Sequence, residues 1–204
     1  MTTTETVIDL QPAQVDFAAR TLADAFFVDP LYCWVEPEPR KRRRMLIWLN
    51  RCILRYTLRY GNAHTDNHLD GTVCWLPPGA MKPTAGGTLR SGLFMLPFRL
   101  GIRAYLRFDA YLKFSGRLRE RHAPDRCWYL WVAGVAPEKQ GRGAGSRLIR
   151  PILNRSGAEG LPVFLETENE ENLTFYQRWG FRVVAKGTVP GSRVQVWSMV
   201  RETP

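Results

Sequence analysis

The sequence predicts a mixed α/β (α+β) fold, and two observations carry the prediction. The first is the order of elements in residues 128–181: an apolar strand (128–135), a glycine-rich turn (138–145), a helix, a second apolar strand (163–167) and a short helix. The second is a pair of apolar runs at 180–185 and 193–200, joined across Val189-Pro-Gly-Ser192, which read as a closing hairpin of strands. No repeat, low-complexity segment or linker interrupts the chain, so residues 1–204 are expected to form one domain. A chain of this size buries roughly 70% of its unfolded surface, enough for a real core.

The elements before the central stretch follow from local signals. Residues 4–10 alternate enough for a short first strand. Gln11-Pro12 opens a helix, because proline suits the first helical turn. Val15, Ala18, Ala19, Leu22, Ala25 and Phe26 form its apolar stripe, and Asp29-Pro30 should end it. Residues 31–35, Leu-Tyr-Cys-Trp-Val, read as an aromatic loop. A second helix is expected over 40–60, with Met45, Leu46, Trp48, Leu49, Cys52, Ile53 and Tyr56 on its buried face. Residues 61–71 read as a strand end, a polar turn and a new strand; 72–76 continue that strand until Pro77-Pro78 stops it. Residues 80–122 form a helical insertion, broken around Pro97, whose stripe Tyr105, Phe108, Leu112 and Leu118 lies on the core or covers a cleft.

The turn suggests chemistry. Gly141, Gly143 and Gly145 occupy alternate positions between strand and helix, where a backbone without Cβ atoms can bend sharply and admit a ligand to its N–H groups. The helix beginning there offers unpaired N–H donors and the positive end of its dipole, a site for phosphate oxygens. Lys139 and Arg142 add charge. The spacing is neither Gly-x-Gly-x-x-Gly nor a Walker loop, so a dinucleotide fold and a P-loop nucleotidase are disfavoured.

Gln140, Gly143 and Gly145 instead match Gln/Arg-x-x-Gly-x-Gly/Ala. The strand before them ends Val135-Ala-Pro137, and Asn172-Leu-Thr-Phe-Tyr176 with Gly180-Phe181 follows. This set resembles the GNAT superfamily of N-acetyltransferases, closely over 127–185 and loosely before. Phe164-Leu-Glu-Thr167 adds a resemblance to the puromycin N-acetyltransferase group. The resemblance implies a central mixed, mostly antiparallel sheet of about seven strands, splayed between the fourth and fifth and flanked by helices. It implies acetyl-CoA (coenzyme A) as the cofactor, with direct attack by an amine in a ternary complex.

Site residues follow by the same resemblance. Ala133, Gly134 and Val135 would contact pantetheine, with the Val135 N–H at the acetyl carbonyl, and Gly134 would sit at a bulge that opens the splay, a packing glycine within the strand being the competing reading. Gln140, Gly141, Arg142, Gly143, Ala144, Gly145 and Ser146 would wrap the pyrophosphate. Asn172 would bind the cofactor. Tyr176 matches the family's acid, able to protonate a departing thiolate; packing on the cofactor alone is the competing role. The family's acidic residue on the strand before the loop is absent here. Glu166 is the candidate base or binder of a cationic acceptor, with a purely structural carboxylate nearly as plausible and water as the remaining base. The first two helices cover the acceptor in such enzymes, which points to Phe27, Asp29, Tyr32 and Trp34 as substrate contacts or as ordinary core aromatics.

Composition bounds the partners. The formal net charge is +10, concentrated in Arg40-Lys-Arg-Arg-Arg44 and between residues 99 and 121. Helical geometry spreads the first cluster around its cylinder, so attraction for a polyphosphate cofactor is favoured over nucleic-acid binding. No apolar run approaches the roughly 18–20 residues of a membrane span, and residues 1–5 do not resemble a secretion signal. Cys33, Cys52, Cys74 and Cys127 have no Cys-x-x-Cys pairing and read as reduced thiols of a cytoplasmic protein. His64 and His68 lie in a segment too polar and turn-rich for a metal-binding helix, and no metal is expected. The expectation is an acyltransferase for a small primary amine, an antibiotic or other toxic metabolite among the candidates. A protein or peptide amine, a non-catalytic acyl-CoA sensor and a basic nucleic-acid binder are the alternatives. A homodimer stays open.

Overall fold

The computed structural model describes residues 6–203. Seven strands form one sheet in the order β1-β2-β3-β4-β5-β7-β6: β1 (Val7–Asp9), β2 (Asn62–Asp66), β3 (Gly71–Leu76), β4 (Trp128–Val135), β5 (Val163–Thr167), β6 (Arg182–Thr188) and β7 (Gln195–Arg201). Every neighbouring pair is antiparallel except β4 and β5. The expected mixed, mostly antiparallel sheet is present. Of the first expected strand, residues 4 and 5 lie outside the described residues.

The splay is visible in the register. β4 pairs with β5 only from Trp128 to Leu130, whereas it pairs with β3 as far as Val135. Beyond Leu130 the β5-facing edge of β4 therefore has no strand partner. The β3–β4 ladder is interrupted once: Cys74 faces Val132 and Trp75 faces Leu130, leaving Trp131 as the extra residue. The bulge is thus at Trp131, not at the expected Gly134. Gly134 has a different reason to be glycine. A Cβ there would lie 2.7 Å from Leu22 Cδ2 and 3.1 Å from Ala25 Cβ, so a side chain would hold the first helix off the strand.

Helices cover both faces. On one lie α1 (Val15–Ala25) and α3 (Pro39–Tyr60), whose apolar stripes meet the large core that includes Leu22, Leu46, Leu49, Tyr56 and Phe164. On the other, α7 (Ala144–Glu159) and α8 (Glu171–Arg178) close a second cluster around Trp75, Trp128, Ile149 and Met199. The stretch expected to be an aromatic loop is instead a helix, α2 (Pro30–Val35). Asp29 caps it, accepting from the Leu31 N–H at 2.9 Å, and Pro30 occupies its first turn. Asp29-Pro30 therefore starts a helix; α1 has already stopped at Ala25, and a 3-10 turn (Pro12–Gln14) precedes it.

The segment expected to be a helical insertion comprises α4 (Ala85–Ser91), α5 (Leu96–Leu100) and α6 (Ile102–His122), with a 3-10 turn (Leu93–Met95) between the first two. It breaks at Gly92 and Gly101, both at positive φ, rather than at Pro97, which sits harmlessly in the first turn of α5. The basic run opens α3 without forming a stripe. Arg42 is buried, donating to the Glu36 and Pro37 carbonyls and lying over the Phe27 ring, while Arg43 pairs with Asp24. The four cysteines are free thiols. Among the described residues no helix is long and apolar enough to cross a membrane.

Candidate active site

The parting of β4 and β5 opens into a cavity of about 280 Å³, roofed by α2, α3 and α6. β4 lines it with the consecutive residues Leu130 to Ala133, which the bulge at Trp131 makes possible, and β5 and its end contribute Glu166, Thr167 and Glu168. Asp29 and Tyr32 come from α2 and its cap, and Asn172 and Tyr176 from α8. The cavity thus gathers residues separated by more than a hundred positions in sequence. Of the expected acceptor contacts, Asp29, Tyr32 and Glu166 line it. Phe27 and Trp34 do not: Phe27 stacks under Arg42, the Trp34 carbonyl accepts from Arg107, and Phe26 takes the wall position instead.

Glu166 is nearly inaccessible, its side chain 2% exposed. Its Oε2 accepts from Arg119 Nη2 (2.6 Å), Arg119 Nε (3.1 Å) and the Tyr129 hydroxyl (2.9 Å), while Oε1 has no hydrogen-bond partner among the described residues. Arg119 also lies over the Tyr129 ring, 4.6 Å from its centroid. Burial raises the carboxyl pKa, and the guanidinium and Tyr129 oppose that rise. The carboxylate is charge-compensated and firmly held.

Glu168, one position past the end of β5, was not singled out by its sequence context. Its Oε1 accepts from the Tyr111 hydroxyl at 2.8 Å, and no cation pairs with it among the described residues. Burial pushes its carboxyl up to about 8, with the Asp29 charge adding to the rise. Burial likewise lifts Asp29 to about 6, against the helix-cap N–H groups that favour its ionised form. The two form an acidic pair holding a proton near neutrality. Tyr111 and Arg119 were also missed; both project from α6, which folds over the sheet only in the assembled domain.

Tyr176 is 7% exposed, with its ring edge-on to Phe175 and Phe181 and its hydroxyl without a hydrogen-bond partner among the described residues. Burial, then the Glu168 charge, raises its pKa well above the usual tyrosine range, so the hydroxyl keeps its proton. Asn172, one turn earlier on α8, donates to Thr167 Oγ1 at 3.0 Å. This ties α8 to the end of β5.

The glycine turn supplies a cradle. Gly141 and Gly143 adopt φ of +74° and +79°, and Gly143 is the N-cap of α7, where no side chain caps the helix. The first-turn amides at Ala144, Gly145 and Ser146 belong to a sixteen-residue helix and retain their dipole field. Nothing lies within 4 Å of where a Gly141 Cβ would stand, so the outer face of the turn is open. Gln140 donates to the Val135 carbonyl at 3.0 Å, fastening the turn to the open end of β4. Lys139 is engaged by Asp70 at 2.8 Å, so Arg142 is the more available of the two expected cations. An uncapped helix start with left-handed glycines, continuous with an unpaired strand edge, suits a ligand with a pyrophosphate and an amide-bearing arm.

A sheet that parts between two parallel strands, an uncapped glycine-rich helix start and an adjoining acidic cavity form a geometry on which a group-transfer enzyme with a nucleotide-linked carrier can be built. Comparison with known proteins makes the class specific. The family profile for the acetyltransferase (GNAT) domain matches residues 110–183. An uncharacterized N-acetyltransferase of Schizosaccharomyces pombe is 32% identical over 173 residues, covering 80% of this chain and 69% of that one. In solved structures the same fold appears in the histone acetyltransferase HPA2 and related acetyltransferase of Corynebacterium glutamicum (TM-score 0.69, 18% identity, 99% of this chain and 98% of that one). It also appears in the polyamine N-acetyltransferase of Drosophila melanogaster (TM-score 0.63, 15% identity, 97% and 99%). The chain belongs to the GNAT acetyltransferases, and it is an acyltransferase of the N-acetyltransferase type. Members of this family use acetyl-CoA as cosubstrate.

Proposed function

We propose that this protein transfers the acetyl group of acetyl-CoA to the primary amine of a small molecule held in the acidic cavity, both ligands being bound together. The observation that carries the reading is the convergence of Asp29, Glu168, Asn172 and Tyr176 on a cavity that meets the unpaired edge of β4.

When bound, acetyl-CoA supplies an activated acetyl thioester. The chain's own residues hold and orient it: the amides of residues 141–146 suit its phosphates, the free edge of Ala133, Gly134 and Val135 its amide arm, and Asn172 the same arm from α8. The amine arrives mostly as a cation, with a pKa of about 10.4 for a primary alkylamine. It must give up a proton before it can attack. Glu166, whose Oε2 accepts from Arg119 and Tyr129, serves to position the wall, and Glu168, which pairs with no cation among the described residues, is the better acceptor. A carboxyl at about 8 rather than 4.5 brings its proton affinity closer to that of the amine. Deprotonation then costs roughly 3 kcal/mol instead of roughly 8. Tyr176 keeps a proton at its hydroxyl on the cofactor side of the cavity and can donate it where negative charge develops on sulfur.

An antibiotic or toxic amine that fits the cavity suits this reading. Its test is a screen of amines for release of free thiol from acetyl-CoA. Accumulation of the acetylated amine supports it; no turnover with any amine, despite tight acetyl-CoA binding, would leave a sensor.

A further inference from the structure

The walls of the cavity differ in kind. One group of lining residues is acidic and phenolic: Asp29, Tyr32, Tyr111, Glu166 and Glu168. These carboxylates lie close enough to act on one another, since the charges of Asp29 and Glu166 both raise Glu168. Arg119 compensates Glu166 alone. The other group is apolar: Leu49 and Ile53 of α3, Leu93, Leu96 and Trp131. The 3-10 turn that carries Leu93 packs against α3: Leu93 shares the core with Cys52, and a Cβ on Gly92 would stand 3.3 Å from the Cys52 Sγ. None of the ionisable lining residues comes from α3 or from residues 83–96.

We infer that the acceptor is an amphipathic monoamine: one cationic primary amine among Asp29 and Glu168, and an apolar alkyl or aryl body against α3 and the inserted segment. This rests on the acetyl-transfer reading above and narrows its substrate. An amine with a second cation at its far end would bury that charge among leucines with no partner. A peptide would bury unpaired amide groups there. A volume of about 280 Å³ is at the small end for ligand sites, which suits a compact metabolite. The inserted segment therefore sets specificity.

The test uses the full chain saturated with coenzyme A, titrated calorimetrically with methylamine, hexylamine and 1,6-diaminohexane, alongside acetyl transfer from acetyl-CoA to each. Affinity and kcat/KM should rise roughly threefold per methylene from methylamine to hexylamine. Diaminohexane should fall at least ~100-fold below hexylamine. Leu96→Glu, at a half-buried position where a polar side chain can be accommodated, should move the preference tenfold or more toward diaminohexane. Equal use of hexylamine and diaminohexane, or no dependence on chain length, overturns this inference while leaving amine acetylation standing. Selective binding of hexylamine without acetyl transfer supports the selectivity and overturns the catalytic reading beneath it.

Discussion

Arg119 on helix α6 sets both Nε and Nη2 against a single oxygen of Glu166 on β5, at 3.1 and 2.6 Å. The pair ties the helix that roofs the cavity to the strand that forms its floor. Both side chains are largely withdrawn from water, 17% and 2% exposed, so their charges are costly apart and compensated together.

Removing one partner should therefore hurt more than removing both. Arg119→Met should cost about 3–5 kcal/mol of unfolding free energy, because it strands a buried carboxylate. Arg119→Met with Glu166→Met should recover most of that. Denaturant titration of the two single variants and the double variant measures the coupling. A double variant no more stable than the sum of the singles would deny the pair.

Glu168 should control the pH dependence of turnover. With its carboxyl near 8, the acidic pair still holds a proton at pH 7, so kcat/KM should climb through about pH 8 before levelling. Glu168→Gln should abolish that limb and lower kcat roughly 10²–10⁴-fold, whereas Glu166→Gln should change KM and leave the limb in place. A limb that survives Glu168→Gln assigns the proton acceptor elsewhere.

The same residue should shape stability. Its folded pKa lies above its unfolded value of 4.5, so burial favours the neutral form. That contribution is fully present below about pH 4.5 and is lost as pH rises through about 8. Between pH 5 and 9 the native protein should lose up to roughly 4–5 kcal/mol relative to Glu168→Gln. Unfolding titrations of both proteins at the two pH values give the comparison.

Tyr176→Phe removes the one hydroxyl of α8 that the cavity leaves unpaired. Turnover should fall about 10–100-fold while the affinity for acetyl-CoA changes less than about threefold, since the ring keeps its contacts with Phe175 and Phe181. Calorimetry beside steady-state kinetics separates the two. Unchanged turnover would reduce Tyr176 to a packing residue.

What could be read in advance was local. The apolar run at 128–135, the alternate glycines and the hairpin at the end each declare themselves within ten residues. Glu168 did not, because Glu168-Asn-Glu-Glu171 looks like a solvated acidic turn; only the docking of α2 and α6 removes it from water. Tyr111 and Arg119 were hidden for the same reason, although their spacing with Phe108 and Ser115 on one face of α6 was a usable signal. The aromatic segment 31–35 reads as a loop only while Asp29-Pro30 counts as a stop. An N-cap aspartate followed by proline at the first helical position equally marks a start. The bulge fell at Trp131 because opening the strand depends on what faces it across β3, which no single glycine reports.

Gly134 near the end of β4 and Gly143 in the turn that follows it should fail in different ways. Gly143 stands at φ +79°, where an L-residue is strained by about 1–2 kcal/mol. Its nearest obstacle to a Cβ is the flexible Arg147 guanidinium at 3.3 Å, so the fold can absorb a side chain there. Gly143→Val should cost little beyond that strain, yet weaken acetyl-CoA binding tenfold or more, because the side chain and the altered turn disturb the amides that start α7. Gly134 has ordinary backbone freedom but no room: its Cβ would press on Leu22 at 2.7 Å and Ala25 at 3.1 Å. Gly134→Val should cost about 1–3 kcal/mol through overpacking and displace α1, the helix that leads into Asp29. Stability and cofactor affinity, measured on both variants, should therefore move in opposite proportions. Unchanged acetyl-CoA affinity in Gly143→Val would mean that the turn at 141–145 does not grip the phosphates.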